Sequence, residues 1–256
     1  MMSEDQPVTP RHVLCALGSG LDFATVERIA KEVGGPDFTF DDEYSEQAPD
    51  TRMTHAFRAC LADRTFTDAD WEAVESHDSV AYVMGPPMTR GISLGVSRRL
   101  LAVAAALLRG GATAVKNESN ALAHGRDQWL TLADQAAGPE GPAVVGALYE
   151  AWVKRPIGDE RLVMSCGLHL LGEPDVEVVT GSHPPVAAIE LIDALGMYLL
   201  TEPRAREMRD DEGFRLVPGG PRWILERQPC QRYDTDDFFF NPYGYWRLTP
   251  AEPPPA

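Results

Sequence analysis

The chain has 256 residues, of which 44% are hydrophobic and 24% charged, an ordinary balance for a globular protein with an ample core. Its formal net charge of −16 opposes binding to nucleic-acid phosphates or to an anionic membrane surface, and makes a basic protein the charge-matched partner. The four cysteines, Cys15, Cys60, Cys166 and Cys230, form no CxxC pair, so neither a zinc site nor a disulfide framework is expected and no cofactor is implied.

Met1 to Arg11 lacks the apolar core of a signal peptide, and the longest apolar run, Leu100 to Leu108, is too short to span a bilayer. A cytoplasmic protein is expected, with flexible tails at 1–10 and 249–256 around a single α/β domain, 11–248, divisible into 11–137 and 143–248. His12 to Leu17 reads as a strand, and Asp22 caps a helix with Phe23, Val26, Ala30 and Val33 on one face. Gly18-Ser19-Gly20 lacks the last glycine of a dinucleotide fingerprint, so that reading is rejected. Asp37 to Tyr44 alternates as a strand, with Phe38 and Phe40 inward.

Thr51 to Ala62 reads as a helix, and Thr67 with Asp70 forms a capping-box start for another, Asp68 to Ser76. Ser79 to Met84 is a strand. From Thr89, Ile92, Val96, Leu100, Val103 and Leu107 mark the apolar stripe of the strongest helix, which Gly110-Gly111 ends. Ala112 to Val115 completes a ferredoxin-like βαββαβ order, the middle helices being an insertion; a short parallel sheet is the alternative. Lys116 and Glu118 share a face and can pair, and Ser119 or Asn120 is expected to cap the helix that follows. Glu118 and His124, with Ser119, are the candidates for a nucleophile, base or ligand at this strand end. Arg126 to Ala136 and Ala143 to Val153 read as helices around a Gly-Pro-rich break.

Leu162 to Leu171 is a mostly apolar run and reads as a buried strand. Gly172-Glu173-Pro174 breaks it, and Asp175 to Val178 alternates as a second strand of a hairpin. Cys166, His169, Asp175 and Glu177 have the residue types of a metal or catalytic cluster. Strand geometry allows Cys166 and His169 to share a face only if Gly167 bulges. Asp175 and Glu177 share a face, which on a hairpin strand is expected to be solvated. A helix follows, from a cap at Ser182 to about Leu200, with Ile189, Ile192, Leu195 and Leu199 inward. A late hairpin at Phe214 to Val217 and Trp223 to Arg227 flanks PGGP. Asp234 to Asp237 (DTDD) then precedes Phe238-Phe239-Phe240 and NPYGYWRL.

CGLHLLGEPDVEV, GATAVKNESNALAH and the ending NPYGYWRL together resemble the bacterial domain of unknown function 4261, from about Ala81 to Leu248. That resemblance implies a soluble bacterial α/β accessory protein and brings no catalytic residue with it. The function expected is a cytoplasmic protein-binding module: an immunity- or antitoxin-like inhibitor, or a secretion-system accessory protein. Its contacts to a basic partner would be Asp236, Asp237, Phe239, Tyr243 and Trp246, by electrostatic steering and burial of aromatic anchors. The alternative is a metal-assisted hydrolase using Glu118, His124, His169 and Asp175.

Overall fold

The computed structural model describes residues 8–60, 66–159, 161–180 and 185–251. The expected tails at 1–7 and 252–256, the Ser182 cap and the end of the second helix at 61–62 lie outside those residues. In chain order the elements are β1 (Val13–Gly18), α1 (Phe23–Ile29), β2 (Thr39–Glu46), α2 (Met53–Cys60), α3 (Asp68–Glu75), β3 (Ser79–Met84), α4 (Ser93–Arg109), β4 (Ala112–Asn117) and β5 (Leu122–Ala123). They continue as α5 (Arg126–Ala136), α6 (Pro142–Trp152), β6 (Lys154–Gly158), β7 (Leu162–Cys166), β8 (Asp175–Val179), α7 (Pro185–Thr201), β9 (Gly213–Phe214), β10 (Trp223–Gln228) and β11 (Tyr245–Pro250).

The strands form two sheets, giving a mixed α/β protein. The first has the order β2-β3-β1-β4-β5, with β1 antiparallel to both β3 and β4. This order is compatible with a split βαβ plan into which α2 and α3 are inserted. Alternation along β1 explains its two covered faces. Leu14 and Ala16 pack toward α1 and α4, whereas Cys15 and Leu17 pack toward Met53, Phe57 and Val74 of α2 and α3. The second sheet has the order β6-β7-β8-β11-β10-β9 and is antiparallel except at β8–β11, which is parallel. One buried apolar cluster runs from Leu14 through Trp129, Trp152 and Ile192 to Leu248, so both sheets share a core. No helix among the described residues is long and apolar enough to cross a membrane.

Local signals set several boundaries. The Asp22 side chain accepts a hydrogen bond from the Ala24 N–H at the start of α1, and Thr67 with Asp70 makes both bonds of a capping box. Elsewhere tertiary packing decides. Val33 and Ile92, expected on buried stripes, are exposed. Val33 lies in a π-helical turn, Ala30–Gly34, which rotates it off the α1 face, and Ile92 precedes the first turn of α4. No helix starts at Ser119 or Asn120. Ser119 is buried and accepts from the Val13 N–H, β5 follows, and Gly125 occupies the N-cap position of α5. The expected strand Leu162–Leu171 stops at Cys166, and Leu168–Leu171 is a 3-10 turn between Gly167 and Gly172, both at positive φ. At the ends, the Val8 N–H bonds the Thr235 carbonyl and the Ala251 N–H bonds the Arg222 carbonyl.

Candidate functional site

The turn from Gly167 to Glu173 is the junction of the molecule. Gly167 lies so close to α6 that a Cβ built on it would stand 1.9 Å from the Trp152 carbonyl oxygen. Leu168 N–H donates to Asp175 Oδ1 (3.1 Å), and Ser97 Oγ of α4 donates to the Leu170 carbonyl (2.7 Å). Arg90 Nε donates to the Gly172 carbonyl (2.8 Å) while its guanidinium stacks on Tyr243 (4.7 Å). α4, α6 and the second sheet thus meet at these seven residues.

Asp175 anchors the junction from β8. It is 1% exposed. Its Oδ1 also accepts from Ser165 Oγ (3.0 Å) and its Oδ2 from Asn241 Nδ2 (2.7 Å). Ser165 Oγ in turn accepts from the Val176 N–H (2.9 Å), and Asn241 Nδ2 is shared with the Glu173 carbonyl (3.2 Å). His169 Nε2 donates to the Phe238 carbonyl (3.1 Å), which fixes a proton on that nitrogen; Nδ1 lies 3.8 Å from Asp175 Oδ2, beyond hydrogen-bond reach. Ser165, His169 and Asp175 therefore sit together, but the serine hydroxyl is directed at the aspartate rather than at the histidine. All three are closed off from solvent.

The expected solvated face at Asp175 and Glu177 is corrected here. Glu177 is 2% exposed and holds Arg247 Nε (2.5 Å) and Arg232 Nη2 on separate carboxylate oxygens. The cause is the long connection between β10 and β11, which lays Arg232, Tyr233 and Asn241 over the outer face of β7, β8 and β11. Burial pushes the Cys166 thiol well above its usual range, so it stays a neutral thiol.

A second polar chain crosses the core. Asn117 Nδ2 donates to His12 Nδ1 (2.9 Å), His12 Nε2–H donates to Ser97 Oγ (2.8 Å), and Ser97 continues to the Leu170 carbonyl. This order of donors is satisfied only by a neutral imidazole. Burial, with repulsion from His169, pushes the His12 pKa down to about 3. His124 lies edge-on to Trp129 (4.6 Å), and burial pushes its pKa down to about 4 against the raising effect of the Ala151 and Glu150 carbonyls. Glu118 pairs with buried Lys116 on the far side of β4. Burial alone would lower the Lys116 pKa, but Cys15 and Glu118 beside it raise it. Glu118, His124 and His169 thus belong to separate local networks, and no group of three or more metal-ligating side chains converges among the described residues.

An acid-stability prediction follows from the two depressed histidines. Unfolded imidazoles take up a proton near pH 6.5, whereas these two stay neutral until about pH 3 and 4. The unfolded chain therefore binds more protons in this window. Stability is complete above about pH 6.5 and falls as the pH drops toward the folded values, by at most about 1.4 kcal/mol per pH unit for each histidine. Urea midpoints at pH 7, 6 and 5 should fall less steeply in His12→Gln than in the unaltered chain; equal slopes would contradict the neutral assignment.

The partner candidates divide at the surface. Asp236 is exposed, and Asp237, Phe239 and Tyr243 are partly buried. Trp246 is 3% exposed within β11, so it is a core residue and offers no contact surface. Phe238, not singled out from the sequence, is 44% exposed. The turn that carries it is well tied: Asp237 Oδ1 accepts from the Phe239 N–H (2.8 Å), Phe240 N–H bonds the Asp237 carbonyl, and Val8 N–H bonds Thr235. Elsewhere, Arg90, Leu94, Leu171, Glu173, Leu199 and Arg206 are among the residues lining an open groove of about 360 Å³ beside the junction.

Compared with protein-family models, with curated proteins and with solved structures, the chain matches none.

Proposed function

We propose that the chain is an acidic cytoplasmic protein-binding module, an immunity- or antitoxin-like inhibitor or a secretion-system accessory protein. Its contact face is the Tyr233–Phe239 segment. The carrying observation is an exposed aromatic, Phe238, set among exposed Asp234 and Asp236 on a turn whose backbone is fixed by His169, Val8 and Asp237. A pre-ordered turn loses little conformational freedom on binding, and an aromatic flanked by carboxylates suits a basic surface with an apolar pocket. The net charge of −16 adds long-range attraction for such a partner. The likeness to the bacterial domain of unknown function 4261 is consistent with an accessory role and adds no chemistry to it. A hydrolase using Glu118, His124, His169 and Asp175 is favoured by no single observation, because Glu118 pairs with Lys116, His124 packs against Trp129, and His169 with Asp175 is closed off from solvent at a third place.

Affinity capture of the tagged chain from its native cells, at low and moderate salt, tests the reading. A stoichiometric basic protein is expected, held less at moderate salt. With that protein purified, the association rate should fall by about tenfold or more between low and physiological ionic strength while dissociation changes little. A rate indifferent to salt would rule out steering, and no partner at either salt would overturn the proposal.

A further inference from the structure

We propose that the cavity beside Glu177 is a binding site for a compact oxyanion, a phosphate or a small carboxylate. It measures about 180 Å³ and is lined by Glu177, Gln228, Pro229, Gln231, Arg232, Tyr245 and Arg247. That is below the roughly 300 Å³ at which pockets for drug-sized ligands begin, so the occupant is small. Two guanidiniums converge here on a single buried carboxylate. Each spends one N–H on Glu177, Arg247 through Nε and Arg232 through Nη2. One negative charge offsets one of the two positive charges, and the second is left at the cavity in a chain whose net charge is −16.

The arginine side chains are 33% and 36% exposed, and both line the cavity. Their placement is fixed in advance. Arg247 stands opposite Glu177 in the β8–β11 register, and the Arg232 guanidinium lies over the Tyr245 ring (5.6 Å). Glu226, the cross-strand partner of Arg247 on β10, is exposed and makes no ion pair with it among the described residues. Planar N–H forks match the oxygens of phosphate and carboxylate, and the lining residues Gln228 and Gln231 carry neutral amide donors. Glu177 acts as the positioning residue that keeps the two forks aimed at the same space.

The test is isothermal titration of the full chain with inorganic phosphate and, separately, with malonate, at constant ionic strength. Saturable one-site binding of at least one anion is expected. It should weaken about tenfold or more in Arg247→Gln and in Arg232→Gln, since each removes a charged donor. Arg227→Gln should leave it unchanged, because that guanidinium stacks on Trp246. Should a cavity variant fail to fold, nitrogen-15 NMR of the unaltered chain reads the same question: the Nε–H signals of Arg232 and Arg247 should shift with anion while that of Arg227 does not. Phosphate alone, malonate alone, or both identify the class of oxyanion. Absence of binding, or equal shifts at all three arginines, would overturn the site.

Discussion

Replacing Asp175 with alanine should lower the unfolding free energy by about 3–5 kcal/mol, because it strands the buried Ser165 hydroxyl and Leu168 N–H and leaves Asn241 Nδ2 only the Glu173 carbonyl. Ser165 Oγ, the Leu168 N–H and Asn241 Nδ2 all lose their shared partner at once. For a chain of this length each kcal/mol is worth roughly 2–4 °C, so melting should fall by about 10 °C. Asp175→Asn should cost less, since its amide oxygen can keep the Ser165 and Leu168 bonds while its Nδ2 faces one donor, Asn241 Nδ2. A double-mutant cycle with Asn241→Ala should show strong coupling, because the two side chains make one bond and cover each other. Urea denaturation followed by circular dichroism reads all of these. A carboxylate held in reserve for catalysis would give the opposite pattern, with stability nearly unchanged by its removal.

Gly167→Ala is the second large effect, expected to cost about 3–5 kcal/mol from two sources. The residue has φ of 125°, where an L side chain is strained. Its Cβ would also overlap the Trp152 carbonyl at 1.9 Å, a backbone atom that cannot rotate away. Relief would require the end of α6 to move away from the junction, disturbing the packing of Trp152 against Trp129 and His12. Gly146→Ala, in the same helix with nothing within 4 Å of its added Cβ, is the control and should be neutral or stabilising by up to about 1 kcal/mol. Similar melting temperatures for the two variants would contradict the close approach that defines the turn.

These expectations mark what was legible beforehand. Where a signal is local, reading the residues located the element: the Asp22 cap, the Thr67–Asp70 capping box, the strand Ser79–Met84 and the helix Arg126–Ala136. The stretch around Leu162–Glu177 also stood out, and it is where the molecule joins. Its roles did not follow from periodicity. Asp175 and Glu177 alternate as a solvated strand face would, and they are buried because residues from Arg232 to Asn241 fold over them. Residues that lie about 55–70 positions away in the chain leave no mark on the pattern of β8. The parallel pairing of β8 with β11 is equally long-range, which is why Tyr245–Pro250 did not read as a strand. β6 is not legible because Lys154–Gly158 holds two charges, then a proline, and one aliphatic residue, Ile157, between that proline and a glycine. Trp246 and Phe238 show the same limit: both lie in an aromatic-rich segment, but the register of β11 puts Trp246 in the core, whereas Phe238 stands exposed on the connection before that strand.

Asp175, Glu177 and His12 hold parts of the chain together, and in the proposed reading the segment that covers β8 is the presented surface. His169 is the link between the two, since the same side chain that lies beside Asp175 fixes the Phe238 carbonyl. The measurement that tests this most directly is paired capture from native cells with the unaltered chain and with the double variant Asp236→Asn, Phe238→Ser. Both positions are exposed, so the variant should melt within about 1 kcal/mol of the original. The account predicts a basic partner on the unaltered chain, weakened by salt and absent from the variant. A partner retained equally by the folded variant would place binding elsewhere on the surface and contradict the proposed face.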